Sequence, residues 1–277
     1  MLKAKVNAKA NQVQRHDAEH IIKEFSRVFK WRLDCNDSLI DIGTGSGDVL
    51  VDFLVPVLPK NFKKIVGSDI SSDMVQHCNK TYKSLKDKVA FKILDIGTEK
   101  LSKEFVSEFD HVTSFYCLNW VQNQQQAVRN VYQILNSDGD CLLVFLASHP
   151  FYDIYKIISK NPKWTTYMKD MNCHISPFQC SKNPELEFSQ IIKDEGFVDF
   201  SVEVRHKTFV YEGLQTLREN LRAVNPFIGQ MPEELREEFM DEMIKIALSV
   251  YSLSESMTLD DKRFITPYRL IVAYARK

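Results

Sequence analysis

Asp41, Gly43, Gly45, Gly47 and Asp69 are spaced to hold a nucleoside. Ser38 to Gly47 reads Ser-Leu-Ile-Asp-Ile-Gly-Thr-Gly-Ser-Gly, a helical stretch follows, and Lys-Ile-Val-Gly-Ser-Asp closes at Asp69. As strand, turn, helix and strand, this order brings glycine backbone up to a ligand with no Cβ between them. Asp69 falls near the ~20-residue distance at which a carboxylate accepts from both ribose hydroxyls. The spacing is G-x-G-x-G, and Asp48 stands where G-x-G-x-x-G has its last glycine. A carboxylate there repels a pyrophosphate, which needs an uncluttered helix N-terminus. An adenosyl ligand without phosphates suits the loop better.

The elements that must position these residues follow the same rhythm. β-rich runs over Leu39–Ile42, Lys64–Asp69, Val89–Asp95, His111–Cys117 and Asp140–Ala147 alternate with amphipathic helical stretches. Near-continuous apolar strands separated by helices predict an α/β fold with a parallel sheet covered on both faces. Gly139 is expected to end the helix before the fifth run. A helix over 184–195 ending at Gly196, a strand over 198–211, a helical insertion over 213–261 and a strand over 264–275 complete the pattern. In the insertion Pro232 suits a helix start, and Leu235, Phe239, Met243, Ile246 and Val250 line one face.

In such a sheet the ligand lies beyond the carboxyl ends of the strands, where the strand order reverses. The first four ends are Gly43–Gly47, Asp69-Ile70, Asp95-Ile96 and Ser114-Phe115, and all are expected at one pocket. Asp69 would hold the ribose and Asp95 would accept from an adenine amino group. Ile70 and Ile96 would pack on the ring, and backbone near Gly43 and Ser114 would meet the far end of the ligand. Asp95 alone reads equally well as a strand cap. Trp120, just past the fourth strand, can donate its indole N–H and line an apolar wall, or simply fill core.

Composition narrows the classes. The chain has 277 residues, 44% of them hydrophobic, enough for a full core without metal or disulfide staples. A net charge of -1 gives no electrostatic case for nucleic acid. The six cysteines include no C-x-x-C pair and no histidine pair has metal-ligand spacing, so no metal is expected. The N-terminal residues lack the apolar stretch of a signal peptide, and Cys141–Ala147 is too short to span a bilayer. A cytoplasmic protein with no membrane partner is expected. A dinucleotide dehydrogenase would want the missing glycine and a hydride-handling residue. A lipid carrier would need the apolar pocket but not the glycines or Asp69.

The Asp41–Gly47 turn with Asp69 resembles motif I of the class I S-adenosylmethionine-dependent methyltransferases, whose seven-stranded, mostly parallel Rossmann-like sheet matches the element order. With Gln14-Arg15-His16-Asp17-Ala18 and Phe115-Tyr116-Cys117-Leu118-Asn119-Trp120-Val121, the whole chain resembles the insect juvenile hormone acid O-methyltransferases. That resemblance implies one methyltransferase domain over 1–277, an N-terminal helical lid over 1–30, and cap insertions over 149–183 and 213–261. It implies S-adenosylmethionine as cofactor and methyl transfer to the carboxylate of farnesoic acid or juvenile hormone acid. Another small-molecule carboxylate or hydroxyl is the alternative acceptor, and a homodimer is left open. Gln14 and Trp120 take the carboxylate-holding positions by the same resemblance. Asn119 departs from it, standing where many relatives have histidine.

The implied chemistry needs no protein base, because an ordinary carboxylic acid is ionised at neutral pH. What is needed is alignment. A sulfonium cation and a carboxylate become neutral products, so a dry pocket favours transfer. A cationic clamp would hold the anion more tightly before transfer than during it, whereas an amide and an indole N–H orient it with less of that penalty.

Overall fold

The computed structural model describes residues 11–253 and 263–277. They divide into two compact units. One comprises the described residues up to Phe145 with Lys182–Val204 and Ile271–Lys277; the other comprises Leu146–Ser181 and Arg205–Leu270.

The strands of the sheet are β1 (Ser38–Ile42), β2 (Lys64–Asp69), β3 (Val89–Ile93), β4 (Phe109–Phe115), β5 (Leu135–Ser148), β6 (Asp199–Glu212) and β8 (Arg263–Arg276), of which β1 to β4 lie wholly in the first unit. The order is β3-β2-β1-β4-β5-β8-β6, and the two-residue β7 (Ser252–Leu253) pairs antiparallel with β8. β1 pairs in parallel with β2 and β4, β2 with β3, and β4 with β5. The order therefore reverses between β1 and β4, the switch point of an open α/β sheet. α1 (Gln12–Phe25) buries Val13, Asp17, Ala18, Ile21, Ile22 and Phe25. α2 (Ser72–Thr81) is capped by the Ser71 hydroxyl, and α3 (Gln124–Ile134) by the Asn123 amide. The class I architecture expected from the alternation is present.

Several expectations shift. Gly139 ends no helix, because α3 stops at Ile134 and β5 begins at Leu135. Glycine is required there for a different reason: a Cβ would lie 2.8 Å from the Asp110 carbonyl oxygen. β3 ends at Ile93, which leaves Asp95 in the loop beyond it.

The second unit contains α4 (Pro150–Ile158), α5 (Pro162–Thr165), α7 (Leu214–Ala223) and α8 (Glu233–Val250), while α6 (Pro184–Asp194) belongs to the first. Residues 149–183, which lack a clean period in sequence, are opened by caps: His149 and Asn161 each accept from a backbone N–H ahead of a proline-started helix. α8 buries Phe239, Met240, Met243, Ile244 and Ala247. Its buried face is rotated from the expected stripe and leaves Leu235, Ile246 and Val250 half-buried. Two overlapping apolar stripes run along this helix, and packing against α4 selects one of them. Residues 1–10 of the expected lid and 254–261 of the expected insertion lie outside the described residues.

Near the amino ends of the central strands the sheet encloses a charged cluster. His111 meets Asp140 through Nδ1 at 2.6 Å and Asp37 through Nε2 at 2.9 Å, all three buried. The Lys30 amide and Tyr274 hydroxyl donate to Asp140, and the Arg32 amide donates to Asp37. Burial works to lower the imidazole pKa, but the hydrogen bonds and charges of Asp140 and Asp37 outweigh it and hold it above 6.5. A base raised on folding stabilises fully below its unfolded pKa and loses that contribution as pH rises through the folded value. Thermal stability should therefore fall as pH rises above about 6.5. His111→Gln should cost about 3–5 kcal/mol at pH 6, because two carboxylates lose their buried partner, and should lack this slope. Calorimetry of both proteins across pH 5 to 9 checks it.

Candidate active site at the carboxyl ends of β1 to β4

The turn after β1 is shaped from below and from the side. Asp41 is buried and accepts from the Thr113 hydroxyl of neighbouring β4 at 2.7 Å. Burial pushes its carboxyl up to about 7 despite that hydrogen bond. Asp41 thus lies inside the sheet beneath the turn. The Ser114 hydroxyl donates to the Ile42 carbonyl at 2.9 Å and ties the β4 end to the β1 end. A Cβ on Gly43 would fall 2.3 Å from the Cys117 Cβ, so the two turns can meet only with glycine at this position. Burial pushes the Cys117 thiol up to about 12, leaving no thiolate nucleophile at neutral pH.

Gly45 is different. Its φ is +56°, and a Cβ there would meet no atom within 4 Å, so the backbone fronts open space. Its N–H donates to Asp69 Oδ2 at 3.0 Å, and the Ser71 N–H donates to Asp69 Oδ1 at 2.9 Å. Burial raises the Asp69 carboxyl against those two hydrogen bonds and leaves it above the ordinary value. Each carboxylate oxygen retains a lone pair, so Asp69 can brace the turn and still accept from a vicinal diol. Gly47 follows within the same turn.

The other expected positions are spread along the strand ends. Ile70 is 67% exposed next to Asp69, whereas Ile96 is only 3% exposed. Asp95 is exposed and caps its own turn by accepting from the Gly97 N–H at 2.8 Å. The Asp69 carbonyl accepts from the Leu94 N–H, and the Asn130 amide donates to the Ile96 and Thr98 carbonyls. These bonds fix the β3 exit beside the β2 end. Phe115 and Ser114 are buried at the end of β4.

α1 is fastened to both central strands. Arg15 donates to Asp48 and pairs with Asp52 at 2.8 Å, its guanidinium 4.6 Å from the Phe53 ring centre, and Asn11 donates to Asp48 at 2.8 Å. Ser46 also donates to Asp48. Burial works to raise the Asp48 carboxyl, and the hydrogen bonds from Ser46, Arg15 and Asn11 hold it below the ordinary value. On the next turn of α1, buried Asp17 accepts from the Tyr116 hydroxyl at 2.6 Å. Gln14 lies between these anchors, half-buried, and its Oε1 is buried without a hydrogen-bond partner among the described residues. That oxygen is an acceptor, so only a donor can satisfy it, and the NH2 end is the part of the amide that can meet an anion.

Trp120 closes the 3-10 turn Leu118–Trp120. Asn119 is buried, and with its amide assigned so that each end meets a complementary group, its nitrogen donates to the Tyr116 carbonyl at 3.1 Å and its oxygen accepts from the Trp120 indole N–H at 3.1 Å. Of the other polar residues near the motifs, His16 is exposed on α1. His149 belongs to the second unit, where burial pushes its pKa down to about 3 and it accepts from the Phe151 N–H.

Sequence reasoning missed the Asp17–Tyr116 and Arg15–Asp48 pairs. The signal was present: Asp17 sits four residues from both Val13 and Ile21, on the apolar stripe of α1, and a carboxylate on a buried face demands a partner.

Residues 13–199 match the family model described as a methyltransferase domain. The chain is 49% identical over 278 residues to juvenile hormone acid O-methyltransferase of Drosophila melanogaster, covering 100% of this chain and 93% of that protein. It is 33% identical over 284 residues to juvenile hormone acid O-methyltransferase of Bombyx mori, covering 100% of this chain and 98% of the relative. The fold is similar to a solved candidate methyltransferase of Bacillus halodurans, with a TM-score of 0.56, 18% identity, and coverage of 92% of this chain and 98% of that one.

The open space before Gly45 and the two-sided use of Asp69 generate a prediction. Gly45→Val puts a branched side chain into the cradle, and Asp69→Ala removes both the turn brace and the diol acceptor. Loss of hydrogen bonds to a charged group costs roughly 1.5–3 kcal/mol, so each variant should bind S-adenosylhomocysteine about ten- to a hundredfold more weakly by calorimetry.

Proposed function

Because the chain belongs to the methyltransferase family and, within it, to the juvenile hormone acid O-methyltransferases, we propose that it esterifies the carboxylate of a sesquiterpenoid acid, farnesoic acid or juvenile hormone acid. S-adenosylmethionine is the cofactor and supplies the methyl group as a sulfonium. Gly43, Gly45 and Gly47 carry the backbone that approaches it, and Asp69 receives its ribose. Ile70 and Ile96 flank its base, Asp95 accepts from the base amino group, and Ser114 and Phe115 close the far end. Asp41 supports the turn from inside the sheet.

The observation that carries the acceptor assignment is the set of polar groups on α1 and the turn after β4. Arg15, the cation beside Gln14 in sequence, is engaged by Asp48 and Asp52. It is therefore no clamp for an anion. Cys117 is held as a neutral thiol. What remains is neutral donor chemistry: the NH2 end of the half-buried Gln14 amide and the Trp120 indole. The indole N–H is bonded to an uncharged amide oxygen of Asn119. A carboxylate is the stronger acceptor and can draw that N–H to itself or share it. Both donors orient the carboxylate oxygens, and neither has to take a proton.

The segments 149–183 and 213–261 are assigned to the isoprenoid tail, and 1–30 to the lid. In the second unit Tyr152, Tyr155, Trp164, Phe227, Phe239 and Met243 are buried and form an aromatic-rich core. A cytoplasmic location without nucleic-acid or membrane partners fits the net charge of -1 and the finding that no helix among the described residues is long and apolar enough to cross a membrane.

Two outcomes follow for kinetics with farnesoic acid. Gln14→Ala and Trp120→Phe should each lower kcat/KM about ten- to a hundredfold, the range for a hydrogen bond to a charged group, with S-adenosylhomocysteine affinity retained. The wild-type rate should stay level across neutral pH and fall only where the acid protonates or the protein unfolds. Unchanged kinetics in the Gln14 variant, or a steep rise between pH 6 and 8 not traceable to stability, would reject the shared-carboxylate account.

A further inference from the structure

Tyr116 joins the two groups proposed to hold the carboxylate. It follows β4 with φ +57°, a left-handed setting that non-glycine residues rarely adopt. Its N–H still donates to the Val144 carbonyl on β5 at 2.7 Å, so the sheet fixes one side of the residue. Its carbonyl accepts from the Asn119 amide, whose oxygen in turn accepts from the Trp120 indole. Its hydroxyl donates to Asp17, on the same face of α1 as Gln14 and three residues from it. One side chain away on each side stand Trp120 and Gln14.

We propose that Tyr116 is a positioning residue, setting Gln14 through Asp17 and Trp120 through Asn119, so that both donors meet one carboxylate. This rests on the reading that Gln14 and Trp120 orient that carboxylate. The geometry supplies the reason for the unfavourable backbone. Strained dihedrals persist where surrounding contacts over-determine them, and they concentrate at functional sites. Here the strand bond, the carbonyl bond and the hydroxyl bond hold Tyr116 from three directions. Asp17 is the less obvious member: a carboxylate on a buried helix face is costly without a hydrogen-bonded partner, and the Tyr116 hydroxyl meets that need at 2.6 Å. It also gives Asn119 a task. An amide has one donor end and one acceptor end, so it can bridge a carbonyl and an indole N–H at once.

The proposal predicts a specific kinetic pattern. Tyr116→Phe keeps the ring and deletes the hydroxyl, which releases α1 at Asp17 while the sheet bond and the Asn119 bridge remain. With farnesoic acid, kcat should fall about tenfold, the lower end for a lost hydrogen bond to a charged group. KM should move little, because burial of the hydrocarbon tail is unchanged. Melting temperature should fall, because buried Asp17 loses the Tyr116 hydroxyl, while S-adenosylhomocysteine affinity should stay near wild type. Asp17→Ala should reproduce the loss, and Asp17→Asn, which keeps an oxygen to accept from Tyr116, should recover most of it. In a Gln14→Ala background, Tyr116→Phe should slow the enzyme little further, since its effect runs through Gln14.

Three results would overturn it: wild-type kcat in Tyr116→Phe, the same tenfold loss repeated in the Gln14→Ala background, or no recovery by Asp17→Asn. If Tyr116→Phe fails to fold, the Asp17 pair tests the same link. Should Gln14→Ala and Trp120→Phe themselves be kinetically normal, the carboxylate reading falls and takes this inference with it. A slow Gln14→Ala beside a normal Tyr116→Phe overturns the inference alone.

Discussion

The turns after β1 and β4 press directly against each other, with the Cys117 side chain occupying the space that any side chain on Gly43 would need. Much else depends on this contact. β1 and β4 are adjacent parallel strands at the point where the sheet order reverses, so their chains leave in opposite directions and open a crevice between them. The Ser114 hydroxyl on Ile42 and the Thr113 hydroxyl on Asp41 keep the two ends level. Only with the turns so close can one short helix, α1, reach both: Asp48 beyond the first through Arg15, and Tyr116 beyond the second through Asp17.

Three aspartates near one turn illustrate how environment assigns roles. Asp41 is inside the sheet, its carboxyl raised by burial and tied to a hydroxyl. Asp69 receives two backbone amides and retains lone pairs toward the crevice. Asp48 gathers a hydroxyl, an amide and a guanidinium, which hold it ionised. The carboxylate that stands in place of a third motif glycine is thus the one that anchors the helix carrying Gln14.

The alternation of apolar strands and amphipathic helices was enough to read the sheet and the turn after β1, because burial on both faces leaves near-continuous apolar runs. Asp69 was readable by distance along the chain. What was hidden depended on partners far away in sequence. Asp17 and Tyr116 are separated by 99 positions, and His111 finds Asp37 and Asp140 only once β1, β4 and β5 align. Local pattern also left real ambiguity. α8 offers two apolar stripes and packing chooses between them, while Gly139 looks like a helix stop but is needed where the Asp110 carbonyl passes close by. The proline-rich stretch after β5 hid its helices because their start signals are caps and prolines rather than period.

The central claim is that the crevice delivers a methyl group to a carboxylate oxygen without a protein base. The most direct test offers the purified protein S-adenosylmethionine carrying a labelled methyl group, with farnesoic acid and farnesol supplied side by side, and identifies the labelled product by mass spectrometry. The account predicts label in the methyl ester of the acid and none on the alcohol. A labelled methyl ether, or no label on the acid under conditions where S-adenosylhomocysteine binds, would contradict it.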